Sequence, residues 1–209
     1  MNKKLDKLKK KIYINKNLFV FLLGIIIIGV ASGTIFSIMI NNQDKILVKE
    51  YLETFMDNIV NERLNSKNTL LNTIILKEGF VLLLWTLGIS IFGIILDLPL
   101  LFIKSFILGF SVGSIIINFK LKGILIMLLY IMPHHIVNIL IYILITAYSI
   151  MLSYRIIKSI KNKQTLNFKT IIIKYRYILL FSVTIIFFTS LYETYIMPKM
   201  LKFILILIK

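Results

Sequence analysis

The amino-acid sequence predicts an all-α integral membrane protein, a bundle of about five membrane-spanning helices. Three observations lead to this fold class. Hydrophobic residues make up 58% of the 209 residues, whereas soluble domains contain roughly 45–50%. Several uncharged stretches are long enough to cross a bilayer core of about 30 Å. Lysine and arginine gather in blocks beside these stretches, as is typical of segments that anchor and orient membrane helices.

The first predicted helix follows a basic segment. Residues 1–17 contain seven lysines against the single acid Asp6, so we expect a cytoplasmic anchor. Residues 18–40 carry no charge and would extend about 34 Å as a helix, which is enough to span a membrane. The small residues Ala31-Ser32-Gly33 also allow a cleaved signal peptide, but the apolar run continues beyond them, which favours an uncleaved helix.

A more polar region follows at residues 41–78. It contains six of the nine acidic residues and is predicted to form an external loop. Apolar residues recur within it at helical spacing, which predicts an amphipathic helix. These residues are Leu47, Tyr51, Leu52, Phe55, Ile59 and Val60. The membrane face, a partner and the protein's own spans are all surfaces that such a helix could cover.

Four further apolar stretches complete the predicted transmembrane domain of residues 18–197. They cover residues 79–96, 98–118, 123–152 and 177–197. The first two are separated only by Asp97-Leu98-Pro99, so we expect a helical hairpin in which Asp97 caps the helix that Pro99 opens. The third stretch is too long for one straight span and contains Pro133, which predicts a bent or interrupted helix.

The distribution of charge predicts the topology. Residues 153–176 contain seven basic residues and no acid, which predicts a cytoplasmic loop. With the amino terminus also inside, five spans place the acid-rich residues 41–78 and the carboxyl terminus outside. The tail, residues 198–209, is too short to span, so we expect it to lie in the membrane interface or on the helix bundle.

Composition also bounds the partners and cofactors. A formal charge of +16 would suggest a polyanionic partner in a soluble protein. Beside apolar spans it favours membrane lipid, and we expect no nucleic-acid binding, because no basic groove with interleaved aromatic residues stands apart from the spans. The absence of cysteine excludes disulfides and thiolate metal sites. No phosphate-binding loop motif is present, and we expect neither a cofactor nor a metal.

One motif is typical of serine hydrolases. Gly109-Phe110-Ser111-Val112-Gly113 matches the pattern G-x-S-x-G, which would suggest a hydrolase or an intramembrane protease. That motif needs a strand before the serine and a helix after it, whereas this copy lies within an apolar helix. Read as G-x-x-x-G, it predicts close contact between two helices, and Gly29 and Gly33 repeat the spacing in the first span. We therefore expect packing and not catalysis.

Pro133-His134-His135 is the main polar feature inside a predicted span. A proton relay or a transport site at a broken helix is one interpretation. We favour a structural one, in which the imidazoles satisfy carbonyl groups freed by Pro133 or cap the second half of the helix. Adjacent helical residues point about 100° apart, so we do not expect both rings to bind one metal ion. Lys104 and Glu193 are expected to reach water.

Several short motifs follow one another at specific spacing. They are Gly29 and Gly33 after a basic start, Trp85-Thr86-Leu87-Gly88-Ile89-Ser90 running to Gly93, Phe102-Ile103-Lys104-Ser105, Gly109-Phe110-Ser111-Val112-Gly113, and Gly123 leading to Met132-Pro133-His134-His135. In this order they resemble the stage II sporulation protein M family. The resemblance covers essentially the whole chain and is densest over residues 80–140.

The resemblance implies a membrane protein that acts in the mother cell of an endospore former during engulfment. It implies a non-enzymatic scaffold that localises peptidoglycan hydrolases, the stage II sporulation proteins D and P, at the septal membrane. The glycines, Trp85 and the Pro133-His134-His135 motif are then helix-packing or structural residues, and a homo-oligomer is compatible with them. The alternative is a transporter or ABC-type permease subunit, and an intramembrane hydrolase is a third reading.

Overall fold

The computed structural model describes residues 16–61, 63, 65–163 and 168–207. Within these ranges the chain forms helices and no strand, so the predicted all-α class is confirmed. The first fifteen residues of the predicted basic segment lie outside the described part. The α-helices are α1 (Lys16–Met39), α2 (Asn42–Val60), α3 (Ser66–Ile89), α4 (Gly93–Ile126), α5 (Met132–Asn162), α6 (Phe168–Leu191) and α7 (Met197–Leu207).

Several of these helices are long and apolar enough to cross a membrane. The segments that meet this criterion by length and composition are Lys16–Met39, Ser66–Ile89, Gly93–Asn162 and Ile171–Leu205. Their outward-facing residues are largely apolar: Ile27, Ile75, Ile95 and Phe188 are each more than 60% exposed. Large apolar side chains that point away from the bundle are what lipid contact requires. The prediction of a helical membrane bundle is therefore confirmed.

The 70-residue segment Gly93–Asn162 is not one straight helix. At Lys120 the backbone leaves the helical region, with φ of 50° and ψ of −124°. Three residues later, a methyl carbon placed on Gly123 would lie 3.0 Å from the Cα of Ile116, although seven residues of straight helix separate two Cα atoms by about 10 Å. The chain therefore folds back sharply at Lys120.

The contacts between α4 and α5 show that the two helices run antiparallel. Asp97 of α4 accepts a hydrogen bond from Ser149 of α5. Farther along α4, the ammonium group of Lys104 lies over the ring of Tyr142, which is earlier in α5. Later residues of α4 thus contact earlier residues of α5. The segment Gly93–Asn162 therefore forms two antiparallel helices instead of one.

The predicted hairpin turn at Asp97-Leu98-Pro99 is wrong. The turn between α3 and α4 lies at residues 90–92, where the backbone N–H of Phe92 donates to the Ser90 hydroxyl. Asp97 is fully buried inside α4 and caps no helix. It is held there by a hydrogen bond from Ser149, a contact between separate helices that the local sequence does not reveal.

The interruption predicted at Pro133 is present. A π-helical segment, Met127–Ile131, directly precedes the proline, which occupies the first turn of α5. Proline lacks the N–H group that an uninterrupted α-helix would use at this position. The π turn shifts the hydrogen-bonding register just before Pro133. The side chains after the proline therefore point in different directions from those in an uninterrupted α-helix.

The region predicted as a long loop is mostly helical. Residues 42–60 form α2, as the helical spacing predicted, and α3 begins at Ser66, so the first turns of this membrane-length helix lie inside the predicted loop. The side chain of Asn65 caps α3 by accepting from the N–H groups of Lys67 and Asn68. The polar loop is therefore shorter than the sequence suggested.

Helices α2 and α7 pack together at one end of the bundle. Met56 and Ile59 of α2 share a buried cluster with Leu201 and Ile204 of α7, and residues of α4 and of the π segment before α5 complete it. The amphipathic helix and the tail therefore both pack on the protein's own helix bundle. A second π segment, Tyr192–Ile196, joins α6 to α7.

Candidate functional site

The most extensive helix contact in the described chain joins α1 to α4. Gly29 and Gly33 of α1 meet Gly109 and Gly113 of α4 along a shared face. A methyl carbon on Gly33 would lie 2.8 Å from the backbone nitrogen of Phe110, and one on Gly29 would lie 2.7 Å from the Cβ of Ser105. Such distances are shorter than any relaxed carbon contact. The two backbones therefore approach as closely as they do because these positions lack side chains.

Polar contacts accompany this close approach. The hydroxyl of Thr34 in α1 donates to the carbonyl oxygens of Val30 and of Gly109, at 2.9 and 3.1 Å. The Phe36 ring lies 5.6 Å from that of Phe106 and 6.0 Å from that of Phe110. Small residues with an interhelical hydroxyl contact are the usual means by which membrane helices associate. This face is therefore a structural seam.

Ser111 does not have the geometry of a nucleophile. It lies in the middle of α4, and its hydroxyl donates to the carbonyl oxygen of Ile107 one turn earlier, at 2.9 Å. A nucleophile elbow needs a strand, and none occurs in the described residues. Ser111 does line the same cavity as His135, but no hydrogen bond joins the two side chains within the described part of the chain.

Trp85, Gly88 and Gly93 come together at the end of the bundle where α3 turns into α4. The Trp85 ring stacks on the ring of Tyr175 from α6, with centroids 5.4 Å apart, and the Tyr175 hydroxyl donates to the Trp85 carbonyl oxygen at 3.0 Å. A methyl carbon on Gly88 would lie 2.7 Å from the Cα of Ser149. The glycine thus permits α5 to approach α3 beside this aromatic pair.

The same end contains a buried network of oxygen atoms. The Ser153 hydroxyl of α5 lies 2.7 Å from the carbonyl oxygen of Ser90 and 3.2 Å from that of Gly88, and it donates to them. These carbonyls close α3, where helical N–H partners run out. Asp97 and Ser149 extend the network one turn deeper. The arrangement fixes the α3–α4 turn against α5.

A second polar cluster lies near the middle of the bundle. Lys77 of α3 is only 8% exposed and forms an ion pair with Glu193 of the second π segment. The Nε2 atom of His134 lies 3.8 Å from the same carboxylate, and the ring of His135 lies 4.2 Å from the ring of His134. Charged side chains at such depth occur where they pair with one another or serve a function.

Neutral polar side chains support this cluster. Asn138, one turn after His134, is buried and accepts a hydrogen bond from the Thr189 hydroxyl of α6 at 2.7 Å. No group of three or more metal-ligating side chains occurs among the residues that the structure describes. The cluster therefore presents an ion pair, two imidazoles and an amide on three separate elements, and α5, which begins beside Pro133, carries the imidazoles and the amide.

A cavity of about 100 Å³ opens beside the cluster, between α4 and α5. Its polar lining comes from Lys77, Lys104, Ser105, Ser111, His135, Asn138 and Tyr142. The ammonium of Lys104 is 5.2 Å from the ring centroid of Phe80 and 5.9 Å from that of Tyr142, within the range of cation–π attraction. The expectation that Lys104 reaches the membrane surface is therefore wrong, because its head group lies against aromatic rings inside the bundle.

Sequence reasoning missed two members of this site and misplaced a third. Lys77 was assigned to a loop, although it sits among apolar residues and has Glu78 beside it. Glu193 is expected to reach water, and its side chain, which is 29% exposed, also pairs with Lys77. Asn138 has no predicted role in the sequence analysis. Asp97, in the neighbouring serine network, is wrongly predicted to cap a helix. The available signal was a set of isolated ionisable residues in apolar stretches, which by itself marks an intramembrane site.

The fold and the polar cluster define a helical membrane protein. The chain matches the family model of stage II sporulation protein M over residues 13–198, and it therefore belongs to this family. It is a sporulation membrane protein. No curated protein and no solved structure shows significant similarity to it.

Proposed function

We propose that this protein is a non-enzymatic membrane scaffold for engulfment during endospore formation. In this role it recruits the peptidoglycan hydrolases, stage II sporulation proteins D and P, and concentrates them at the septal membrane of the mother cell. The observation that carries the proposal is the family match over residues 13–198. Anchoring two enzymes on one scaffold raises their effective concentration at the wall without any new chemistry.

The arrangement of polar groups supports a role without catalysis. Ser111 donates to its own helix, and Lys77 and Glu193 neutralise each other. The Asp97 carboxylate is fully buried and bonded to Ser149. Catalysis requires a nucleophile or metal, a base within hydrogen-bond reach and access for substrate. Ser111, Lys77, Glu193 and Asp97 are thus engaged in packing and pairing, which favours an effect on wall chemistry through other proteins.

We further propose that the chain crosses the membrane five times with its amino terminus in the cytoplasm. Helix α1 runs parallel to α4, since Gly29 meets Ser105 and Gly113 meets Thr34. Because α5 is antiparallel to α4, the carboxyl end of α5 lies at the same end of the bundle as the start of α1. This end carries basic residues that favour the cytoplasm: Lys16, Arg155, Lys158, Lys161 and Lys163.

The opposite end supports an external binding surface. Helix α2 lies there and contains acidic residues together with exposed apolar ones, among them Leu47 and Tyr51. In the proposed topology, this surface faces the space between the two membranes, where wall hydrolases act. Anionic lipid headgroups repel an acidic helix such as α2, which favours contact between α2 and a protein.

The scaffold is tested by imaging fluorescent fusions of the two hydrolases in cells that lack this protein. We expect both hydrolases to be made at normal levels and to retain activity after purification, but to spread around the mother-cell membrane. Engulfment should then fail for want of localisation. If both hydrolases reach the septum correctly while engulfment fails, recruitment is not the function of this chain.

A second candidate is a transporter or permease subunit, and the cavity beside His135 favours it. Transport would need a hydrated path along this broken helix. His135→Ala should then abolish function while the hydrolases still purify with the protein in mild detergent. A scaffold tolerates that substitution as long as the protein accumulates to its normal level.

A further inference from the structure

Lys104 is a partly buried, positively charged side chain of α4. It lies eleven residues after the first residue of α4, about 16 Å along the helix axis. Its ammonium contacts the faces of Phe80 and Tyr142. Within the described part of the chain, no carboxylate lies within 4 Å of this ammonium. Two aromatic faces stabilise a cation less than a carboxylate does in a medium of low dielectric constant.

The nearby charges do not complete the pair. Glu193 is already engaged by Lys77, and these two charges cancel. Glu78 is on the same helix as Phe80, but the two side chains point about 200° apart around the axis of α3, which places them on opposite flanks. The Lys104 ammonium lies on the Phe80 flank. One positive charge therefore remains uncompensated on the α4–α5 side of the cluster.

The position of the cavity determines the route by which an anion could reach Lys104. We call this cavity, lined by Lys104, Ser111 and His135, the Lys104 groove. Its rim includes Ile107, which is 54% exposed on the outward face of α4. The rest of the lining comes from α4 and α5, apart from Lys77 of α3, and includes the apolar residues Leu101, Leu108 and Ile139. The groove thus opens sideways toward the lipid, and a small hydrophilic anion would have to cross hydrocarbon to enter it.

We propose that the Lys104 groove binds an aspartate or glutamate carboxylate carried near the middle of a partner's membrane-spanning helix. An apolar helix reaches this depth without the desolvation that a free anion requires. Its carboxylate can accept hydrogen bonds from the Lys104 ammonium. The proposal deepens the scaffold function by naming the intramembrane contact through which a partner is held, and it rests on that function for the partner's role.

The test uses purified full-length protein in phosphatidylcholine vesicles. The probe is a synthetic leucine-rich membrane helix with one glutamate at its centre, and the matched probe has glutamine there. Binding is measured by energy transfer to a dye on a cysteine introduced at Asn61 of the cysteine-free chain. We expect the glutamate helix to bind about tenfold more tightly than the glutamine helix, the usual scale of one intramembrane polar contact.

Substitutions assign the preference to the groove. Lys104→Met should reduce the preference to none, whereas Lys104→Arg, which keeps the charge, should retain it. Unchanged binding of the glutamine helix to Lys104→Met shows that this variant is folded. A tenfold preference that survives Lys104→Met would overturn the proposal, and so would the absence of any preference in the wild type.

Two other occupants give distinct results. Competition by millimolar acetate with the glutamate helix would make the groove a site for small anions and overturn the helix model. Transfer between two labelled copies that is lost in both Lys104→Met and Glu78→Gln would assign the groove to a second copy of this chain instead. If the glutamate helix binds as expected but deletion cells localise their hydrolases normally, the docking site stands and the scaffold function fails.

Discussion

A methyl group added at Gly109 should destabilise the protein, whereas the same group added at Gly24 should not. A methyl carbon on Gly109 would lie 2.7 Å from both the Cα and the carbonyl carbon of Val30 in α1. At Gly24, on the same α1 helix, no atom lies within 4 Å of the added carbon. Both changes are glycine to alanine inside a membrane-length helix, so intrinsic helix propensity contributes alike to each.

The size of the effect follows from the distance. Relaxed carbon atoms are separated by about 3.5–4.0 Å, so α1 and α4 must move apart by about 1 Å to accept alanine at position 109. The atoms in contact belong to the backbone of Val30 and cannot rotate away. Overpacking of this kind costs about 1–3 kcal/mol. We therefore expect Gly109→Ala to lower the free energy of unfolding by that amount relative to Gly24→Ala.

The assay is reversible unfolding in mixed micelles by titration with sodium dodecyl sulfate, followed by circular dichroism. Gly113→Ala should be milder than Gly109→Ala, because its added carbon meets the hydroxyl of Ser37, a side chain that can change rotamer, and atoms of Thr34 no closer than 3.2 Å. If Gly109→Ala and Gly24→Ala unfold at the same detergent fraction, the close contact between α1 and α4 does not hold the bundle together.

Three further results are expected. Ser111→Ala should leave stability and sporulation unchanged, because the lost hydrogen bond is to a carbonyl of the same helix; sporulation counts and thermal unfolding measure this. Glu193→Gln should lower the free energy of unfolding by about 1.5–3 kcal/mol, the worth of a hydrogen bond to a charged group, since it leaves the buried Lys77 ammonium without a carboxylate. Single cysteines at Asn61 and Lys161 should react with an impermeant thiol reagent in intact cells at position 61 only.

Each of these has its own check. Glu53→Gln is the matched control for Glu193→Gln, because it removes an exposed pair with Lys49 on α2 and should cost only about 0.3–0.5 kcal/mol. Equal losses in the two variants would contradict the structural role of the intramembrane pair. Loss of sporulation in a folded Ser111→Ala protein would support the hydrolase alternative. Labelling at position 161 with protection at 61 would reverse the proposed topology.

The membrane class could be read from the sequence because hydropathy is a local property. A run of about twenty apolar residues has the same meaning wherever the chain places it, since each helix satisfies its own backbone in lipid. Helical spacing likewise predicted α2 within an acidic segment. The interruption at Pro133 was also predictable, because proline removes its own N–H group regardless of its neighbours.

The placement of polar groups could not be read locally. Lys77, Lys104, His135 and Glu193 lie far from one another in sequence and come from separate elements, so only the packing of those elements brings them to one cluster. Taken singly, each was expected to reach water, to lie in a loop or to support its own helix. A long side chain can snorkel or turn inward from the same position, and the local sequence does not distinguish the two directions.

The position of the turn at residues 90–92 is a second feature that the local sequence does not determine. Asp97-Leu98-Pro99 has the composition of a helix start, and the sequence by itself determined only that two apolar helices meet nearby. The tertiary structure decided where, because Ser149 and Ser153 of α5 hold Asp97 and the carbonyl of Ser90. Sequence thus determines which segments enter the membrane through the free energy of transfer of each segment, whereas the pairing of buried polar groups depends on which helices lie side by side.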